Sequence, residues 1–375
     1  MVSWPAVPLL KPFRALRYDV GKAGPLDDLV APPYDIVTPE LQAGLEARSP
    51  WNAVRLIRPE RAEYAARALA DWRERGILVR DERPAVWLLE ESFTGPDGVP
   101  RTRRGIVARA RLEPYRSGAV LPHEGTFPGP KQARLELLRA TGTKLSPIFL
   151  LHHGRSPWPD GEPLLRAVLD GVESRLWPID EPRAIADVLA RVEGPLLVAD
   201  GHHRYETALR YHEDEGTEET AHVLAVLVSK DDAGLEIFPT HRVVSGPVPE
   251  LDGRFRRTEL AGAAEARSAL AGLPRDRAAF VLLTPGSATL FEGAGHGLDA
   301  ALVDELPLGD VAYTASADEA ERAVAVGAAT AAFIVRPPTV EEVESFARAG
   351  ERMPPKSTYF FPKLTSGLLF SPFDE

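Results

Sequence analysis

Short apolar segments typical of buried strands alternate with segments of helical periodicity along most of the 375-residue chain. This alternation constrains the fold most, because strands mixed with helices throughout build an α/β or α+β protein. Apolar runs predict strands at 85–93, 105–112, 146–152, 194–199, 221–229, 279–284, 289–292 and 331–336. Helical spacing predicts helices at 38–47, 60–76, 131–140, 163–171, 182–192, 205–215, 263–272, 318–326 and 340–349. A GPDG turn at 95–98 predicts that the first two strands form a hairpin.

The length of the chain predicts more than one domain, because a single hydrophobic core stops growing below this size. We predict an N-terminal α+β region at 1–115 and a core at 116–250 that carries the motif DGHHRY. A C-terminal α/β domain at 251–375 carries the motif PPKSTYF. The predicted fold class is therefore α/β (α+β).

Composition and charge exclude several classes of protein. The 44 Lys and Arg residues against 55 Asp and Glu residues give a net charge of −11, which argues against binding of nucleic acid. The absence of cysteine excludes disulfides, thiolate zinc sites, iron–sulfur clusters and cysteine nucleophiles. No apolar run is long enough to span a membrane, and the first ten residues lack the basic leading region of a signal peptide. We expect a cytoplasmic protein with no membrane partner.

The strongest local signal is the segment Asp200-Gly201-His202-His203-Arg204, which follows an apolar strand and begins a helix. A helix N-terminus offers unpaired N–H groups and a dipole that favour an anion, and Gly201 allows close approach of a ligand. Arg204 can bind phosphate oxygens in a bidentate manner. The segment predicts a phosphate site. The alternative is that Asp200 caps the helix and the histidines are solvated.

A second signal is the loop Pro122-His123-Glu124-Gly125-Thr126. A carboxylate beside a histidine in a loop shaped by proline and glycine can act as a general base. It can also be a ligand of Mg²⁺, which prefers oxygen donors. The alternative is a surface pair with no role in chemistry.

A third signal lies near the C-terminus, where Lys356-Ser357-Thr358 follows two prolines. The lysine can bind phosphate as a point charge and the hydroxyls can donate hydrogen bonds. The alternative is a proline-framed turn whose aromatic residues 359–361 pack on the core. Thr240-His241-Arg242 precedes an apolar pair and is a candidate for the same site, and the APPYD loop at 31–35 is either functional or a structural turn.

These motifs together resemble a bacterial family known mainly as a domain of unknown function. Nearly the whole chain carries the resemblance, with DGHHRYETAL and PPKSTYFFPKL as its most specific motifs. The matching segments are 11–19, 31–35, 123–131, 145–151, 200–209, 239–243 and 354–364.

Three of the motifs also resemble, in the same order, those of the free-serine kinases of the ParB/sulfiredoxin-like superfamily: 122–124, 199–204 and 355–358. The resemblance implies a ParB/sulfiredoxin-like nucleotide-binding core, with ATP or ADP and Mg²⁺ as cofactors. It implies that Glu124 is the base on a serine hydroxyl and that the turn at His202 to Arg204 holds nucleotide phosphates. It also implies that Asp200 serves either catalysis or metal binding. The departure from those kinases is the first 115 residues or so, which they do not have in this form.

The candidate site residues fall into three groups, and no metal ligands are assigned. The catalytic group is Glu124, Asp200 and His202. The nucleotide- or phosphate-binding group is Gly201, His203, Arg204, Lys356, Ser357 and Thr358. The substrate-binding group is His123, Thr126, Thr240, His241 and Arg242.

The implied function is a small-molecule kinase that phosphorylates the hydroxyl of a free amino acid, L-serine in the first place. Its partners would be that amino acid and a nucleotide, and a homodimer is left open. The alternative is a nucleotide-binding regulatory module of ParB-like type with little or no kinase activity. The two hypotheses differ at Glu124, because a kinase needs this carboxylate for turnover.

Overall fold

The computed structural model describes residues 10–374 apart from 127, 156, 159, 252 and 294–296, and it describes the backbone but not the side chains of 128–130. Two parts of the segments considered above therefore lie outside the described residues. One is Phe127, in the loop that carries Glu124, and the other is residues 1–9 of the N-terminal segment. Within the described ranges, no helix combines the length and apolar character needed to cross a membrane.

The strands are mostly short. They are β1 (Leu10–Lys11), β2 (Leu16–Tyr18), β3 (Leu78–Arg80), β4 (Val86–Thr94), β5 (Pro100–Arg111), β6 (Val120–Pro122), β7 (Thr143–Lys144), β8 (Ile148–His152), β9 (Leu165–Leu169), β10 (Val172–Ile179), β11 (Leu196–Asp200), β12 (His222–Ser229), β13 (Glu236–Phe238), β14 (His241–Val244), β15 (Arg256–Leu260), β16 (Ala279–Thr284), β17 (Ser287–Glu292), β18 (Val311–Thr314), β19 (Ala331–Ile334), β20 (Tyr359–Phe361) and β21 (Ser371–Pro372).

The helices lie between these strands along the chain. They are α1 (Val20–Ala23), α2 (Leu26–Leu29), α3 (Pro39–Arg48), α4 (Val54–Ile57), α5 (Ala62–Glu74), α6 (Pro128–Thr141), α7 (Pro182–Leu189), α8 (His202–Glu215), α9 (Ala263–Ala271), α10 (Asp299–Asp304), α11 (Ala317–Ala325) and α12 (Val340–Arg348), with 3₁₀ turns at Tyr34–Ile36 and Tyr115–Ser117. The predicted α/β fold class is confirmed.

A large mixed sheet has the strand order β6-β11-β8-β12-β5-β4-β10-β9, with β1 paired to β5. β6 runs parallel to β11 and β8 runs parallel to β12, whereas the pairs from β12 to β9 are antiparallel. Every residue of β12 is buried, and its side chains alternate between two cores, with Val223 and Ala225 in one and Leu224 and Val226 in the other. Both faces of the sheet are therefore covered, which explains the continuous apolar run at 221–229.

A second sheet has the order β15-β17-β16-β19-β14-β18 and is antiparallel throughout. One face carries small and aliphatic side chains that pack with α9 and α11. The other face carries Phe280, Phe291 and Phe333. The ring centres of Phe291 and Phe333 lie 5.3 and 5.6 Å from the ring centre of Phe280. This sheet forms one wall of the cleft described below.

The helix predicted at 163–171 is wrong, because the structure has strand β9 there, paired with β10. Leu165, Ala167 and Leu169 are buried in alternation, which is the period of a strand and not of a helix. Asp170 and Gly171 have φ values of 49° and 80°, as a two-residue hairpin turn of this handedness requires. The Asp-Gly pair was therefore the signal for the hairpin β9–β10.

After α12 the chain returns from the second sheet to the large one. Met353 N–H donates to the carbonyl of His123 at 2.9 Å, β20 pairs with β13, and β21 pairs with β7. Within the large sheet, strands from both sides of residue 115 pair directly. The division into domains at 115 and 250 stays a prediction. The return of the tail brings the segment 353–363 beside the end of β11.

Candidate nucleotide and phosphate site

A cleft of about 880 Å³ opens between the end of β11 and the segment that joins β18 to α11. This volume falls in the range of about 300–1,000 Å³ that small-molecule sites occupy. The predicted site residues that line it are Glu124, Thr126, Asp200, His203, Thr240, Lys356 and Thr358. The other predicted residues lie outside its lining, and several of them hold the lining residues in place.

The turn between β11 and α8 depends on Gly201. Its φ of +95° is a left-handed conformation that L side chains rarely adopt, and a Cβ there would lie 3.0 Å from Cγ2 of Ile148 and 3.2 Å from the Arg204 guanidinium. Among the described residues no side chain caps α8, so its first N–H groups keep their capacity to bind an anion. The turn ends at the cleft, where Asp200 and His203 form part of the lining.

Asp200 is the centre of a buried ionic network. Its Oδ2 accepts a hydrogen bond of 2.6 Å from Nη2 of Arg204, and its Oδ1 accepts one from Nζ of Lys363. Burial alone would raise the pKa of Asp200, but the Lys363 ammonium and the Arg204 guanidinium outweigh it and hold that pKa well below its ordinary value. Asp200 is therefore a fixed carboxylate, and Arg204 is already paired with it and with the carbonyl of Pro147.

His202 holds the backbone of the loop that carries Glu124. Its Nε2 accepts hydrogen bonds from the N–H groups of His123 at 3.3 Å and of Glu124 at 3.4 Å. Because Nε2 is an acceptor here, the ring proton lies on Nδ1, and burial lowers the pKa of His202 well below its ordinary value. In this geometry His202 orients the loop and does not itself reach the cleft lining.

Glu124, Thr358 and His123 form a short polar chain at the cleft wall. The Nδ1 of His123 donates to the carbonyl of Val198 at 2.8 Å, so its Nε2 is an acceptor, 3.1 Å from Oγ1 of Thr358. The same hydroxyl lies 3.3 Å from Oε1 of Glu124. One hydroxyl proton cannot serve both acceptors, so Thr358 donates to either His123 or Glu124. The protonation of Glu124 and the orientation of Thr358 are therefore linked.

The carboxyl of Glu124 combines exposure to the cleft with a shifted pKa. Its side chain is 33% exposed. Burial raises its pKa above the ordinary value, and the nearby Lys363 ammonium opposes part of that effect. A carboxyl with a raised pKa accepts a proton more readily at neutral pH, which suits a general base.

Two further side chains link the loop after β6 and the start of α6 to helix α8. Oγ1 of Thr126 donates to Oε2 of Glu206 at 2.6 Å, and Nζ of Lys131 pairs with the same oxygen. His203 lines the cleft, and burial lowers its pKa. The loop after β6 is therefore anchored to α8 at two points, through His202 and through Glu206.

The Lys356 segment presents one of its predicted groups and buries another. Lys356 is exposed to the cleft and has a φ of 59°, a conformation that costs a residue other than glycine about 1–2 kcal/mol. Ser357 is 2% exposed, and its hydroxyl donates to the carbonyl of Pro354 at 2.7 Å. Ser357 thus closes the turn that projects Lys356.

Thr240, His241 and Arg242 separate in space. Thr240 lines the cleft. Arg242 is 1% exposed and forms a bidentate pair with Asp304, at 3.0 and 2.8 Å. His241 is 3% exposed and its Nδ1 accepts from the N–H of Val335 at 3.3 Å. Both of these side chains belong to the second sheet and not to the cleft lining.

The burial of His241 predicts a pH dependence of stability. Burial lowers its pKa to about 4, against about 6.5 in an unfolded chain, so the unfolded state binds more protons between these values. His241 therefore stabilises the fold fully above pH about 6.5, and this contribution is lost as pH falls towards 4. We expect the unfolding free energy of His241→Asn to fall less steeply than that of wild type, by up to about 1.4 kcal/mol per pH unit. Urea titrations at pH 7, 6 and 5 measure this, and equal slopes would contradict it.

The sequence did not single out several cleft residues. Lys363 stands in the PPKSTYFFPKL motif but was not assigned a role, and Asp35 of the APPYD loop was left open. Arg352 and Tyr359 lie in the tail, and the remaining lining residues come from β18 and from the start of α11. These lining residues are Asp35, Lys363, Arg352, Tyr359, Tyr313, Thr314, Ser316 and Glu319. The repeated lysine of the tail motif was the signal that could have found Lys363.

The described residues offer few ligands for a metal ion. In the part of the chain that the structure describes, no three or more His, Asp and Glu side chains are arranged to hold a metal ion. Mg²⁺ at nucleotide sites is usually held by one or two carboxylates together with phosphates. The cleft offers Asp35 and Glu124 for this, whereas Asp200 is bound by two cations.

Several solved structures are similar to this chain at low sequence identity. A free serine kinase in complex with AMP has 17% identity and a TM-score of 0.41, over 71% of this chain and 91% of that chain. A conserved hypothetical protein from Pyrococcus furiosus has 16% identity and a TM-score of 0.38, over 72% and 96%. SbnI with a C-terminal truncation, from Staphylococcus aureus, has 11% identity and a TM-score of 0.38, over 71% and 87%. Similarity at this level does not by itself establish a shared function.

The family is established by sequence. No curated protein matches this chain significantly. A family model described as "Protein of unknown function (DUF1015)" matches residues 10–307, which are most of the chain. The resemblance to a family of unknown function is thereby confirmed, and the protein belongs to the DUF1015 family.

Proposed function

We propose that this protein is a small-molecule kinase that transfers a phosphoryl group from ATP or ADP to the hydroxyl of a free amino acid. The observation that carries the proposal is Glu124, a carboxyl with a raised pKa that faces a large cleft beside Lys356 and Lys363. Phosphoryl transfer needs a base for the hydroxyl, cations for the phosphates and little else beyond positioning. The cleft contains both kinds of group.

In the proposed reaction Glu124 takes the proton of the substrate hydroxyl. The hydroxyl oxygen forms a bond to the terminal phosphorus, and the bond from that phosphorus to its bridging oxygen breaks, which releases ADP from ATP or AMP from ADP. Thr358 supports this role, because its hydroxyl has two acceptors, Glu124 and His123. It can donate to Glu124 while that carboxylate is ionised, and to His123 once Glu124 has taken up a proton.

The phosphates would lie between the N-terminus of α8 and the tail. His203, in the first turn of α8, and Lys356 both line the cleft, and no side chain of the described residues caps α8. Arg204 and Lys363 would act through Asp200, whose position they fix. A magnesium ion bound to the nucleotide would have Asp35 as a protein ligand, and it would neutralise phosphate charge.

L-serine is the acceptor that we propose, because the segments 122–124, 199–204 and 355–358 resemble those of free-serine kinases. Thr240 offers a hydroxyl in the same cleft, whereas the hydroxyl of Thr126 already donates its proton to Glu206 and can only accept a hydrogen bond. An α-ammonium group needs a carboxylate partner, which Asp35 or Glu319 can supply.

The alternative is a regulatory module that binds nucleotide without turnover. One observation favours it: Arg204 is committed to Asp200 and to the carbonyl of Pro147, so it is not poised to stabilise a transferring phosphate. The deciding experiment incubates the purified protein with ATP or ADP, Mg²⁺ and a pool of amino acids and analyses the products by mass spectrometry. A phosphorylated amino acid supports the kinase. Nucleotide binding without any product supports the module.

Replacing Lys356 with methionine should weaken nucleotide binding without changing stability. The side chain is exposed to the cleft, and a hydrogen bond from a charged group is worth about 1.5–3 kcal/mol, or about 10- to 100-fold in affinity. Calorimetry with ATP and with ADP measures the effect. Lys22→Met is the control, because Lys22 is an exposed lysine of α1 outside the cleft lining. Equal affinities of the two variants would remove Lys356 from the site.

A further inference from the structure

Arg352 is a cation of the cleft that the described part of the protein leaves without an ionic partner. It is exposed and lines the cleft. Lys363, which lines the same cleft, is paired with Asp200. Arg352 forms no ion pair with any described residue, and its hydrogen bonds there come from Nη1 alone, to the carbonyls of Pro122 at 3.1 Å and of Glu351 at 3.4 Å. This guanidinium can therefore still bind an anion.

Two contacts place Arg352 beside the loop that carries Glu124. Its Nη1 donates to the carbonyl of Pro122, and the N–H of Met353 donates to the carbonyl of His123 at 2.9 Å. Pro122 and Glu124 are two residues apart, which is at most about 7 Å along the chain. The tail at Arg352 and the loop that carries the proposed base therefore lie side by side.

The guanidinium of Arg352 is held in a way that leaves one pair of its donors free. Nη1 is bound to the carbonyl of Pro122, and the central carbon of the group lies 5.9 Å from the ring centre of Tyr115. Nε and Nη2 have no hydrogen-bond partner in the described ranges of the chain. Two parallel N–H groups of this kind match the two oxygens of a carboxylate. The side chain is thus oriented for a bidentate ligand before that ligand binds.

Lys356 and Arg352 suit different anions of the proposed reaction. The transferring phosphorus bonds to the oxygen that Glu124 deprotonates, so a cation for this phosphate must act close to Glu124. Burial raises the pKa of Glu124, and the ammonium groups of Lys363 and Lys356 both oppose that effect. Lys356 is therefore placed for the phosphate. Arg352, which is hydrogen-bonded to the loop two residues before Glu124, is placed for an anionic group elsewhere on the acceptor.

The carboxylate of an amino acid is such a group. In a β-hydroxy amino acid only two carbon atoms separate it from the hydroxyl. An acceptor whose hydroxyl contacts Glu124 then brings its carboxylate near the loop to which Arg352 is bound. We propose that Arg352 binds the α-carboxylate of the acceptor and thereby selects acceptors with a free carboxylate. This inference rests on the proposed function, because the hydroxyl at Glu124 is what places the acceptor.

Calorimetry on the full-length protein at pH 7 tests the inference with L-serine and with ethanolamine, which is serine without its carboxylate. We expect wild type to bind L-serine at least about tenfold more tightly than ethanolamine, the effect of a charged hydrogen bond. Arg352→Met should bind L-serine as weakly as ethanolamine. Arg352→Lys, which keeps the charge without the paired donors, should lie between the two. The control Arg48→Met removes an exposed arginine of α3 outside the cleft lining and should keep the preference for L-serine.

The ratio of the two affinities separates a carboxylate site from other roles of Arg352. If the side chain only held the loop, both compounds would lose affinity together and the ratio would not change. A preference for L-serine that survives in Arg352→Met would therefore overturn the inference, as would the absence of this preference, or of binding, in wild type. An Arg352→Met variant that keeps the preference and binds ADP at least about tenfold more weakly would assign the guanidinium to phosphate.

Mass spectrometry of the products, with ATP or ADP and Mg²⁺ present, distinguishes failure of this inference from failure of the kinase proposal. If Arg352→Met phosphorylates L-serine and ethanolamine in the wild-type ratio, the protein is a kinase and the inference is wrong. If wild type forms no product but loses its preference for L-serine in Arg352→Met, the kinase proposal fails and the carboxylate site stands.

Discussion

Replacing Glu124 with glutamine is expected to lower the rate of phosphoryl transfer by about 10²–10⁴-fold, the usual contribution of a positioned acid or base. Glutamine keeps the shape of the side chain and can still bond with Thr358, but it cannot accept a proton. Nucleotide affinity should stay near wild type, because the phosphates would be held at α8 and Lys356. Product formation by mass spectrometry and binding by calorimetry measure the two quantities on the same preparation.

The control for this variant is Glu213→Gln, because Glu213 is an exposed carboxylate of α8 outside the cleft lining. If Glu124 is instead a ligand of Mg²⁺, affinity for the nucleotide–metal complex should fall together with the rate. A Glu124 variant that binds and turns over like Glu213→Gln would end the catalytic interpretation. The regulatory module would then be the better account of the cleft.

The sequence predicted most elements of this fold, because buried strands and amphipathic helices leave a local periodic signal. It failed at Leu165–Leu169, where an apolar run too short to show its period was interpreted as a helix. Weakly apolar strands such as Arg256–Leu260 were also not predicted. What makes that segment a strand is its antiparallel pairing with Ser287–Glu292, a long-range contact that leaves no trace in the segment itself.

The candidate site was predictable where its chemistry is local. Glu124 and Asp200 each stand in a short motif, and both line the cleft. The pairing of Lys363 with Asp200 joins residues 163 positions apart, so no local pattern could reveal it. The reverse error occurs at Arg242, a charged residue of the kind that binds phosphate, because its partner Asp304 is 62 positions away. A charged residue type predicts that the side chain needs a partner of opposite charge, but it does not tell whether that partner is a ligand or another residue of the protein.

Arg103 of β5 should be among the residues on which stability depends most. It is 0% exposed and donates two hydrogen bonds to Oε2 of Glu91, at 2.9 and 2.6 Å. It also donates to the carbonyls of Phe361 and Pro362, at 3.2 and 3.0 Å, directly before Lys363. Arg103→Met would leave the buried Glu91 carboxylate without a cation. We expect the unfolding free energy to fall by about 3–5 kcal/mol, the cost of breaking a buried pair from one side, as measured by urea titration.

Arg104→Met is the matched control, because Arg104 is the next residue of the same strand. Its side chain is 39% exposed, and its partner Glu90 keeps a second cation, Arg175, at 2.9 Å. That variant should lose about 1 kcal/mol or less. The double variant Glu91→Leu with Arg103→Met removes the orphaned charge and should recover part of the loss. If the double variant is no more stable than Arg103→Met, the loss comes from the released tail and not from the carboxylate. Arg103 would then stabilise the protein mainly by holding the segment that carries Lys363.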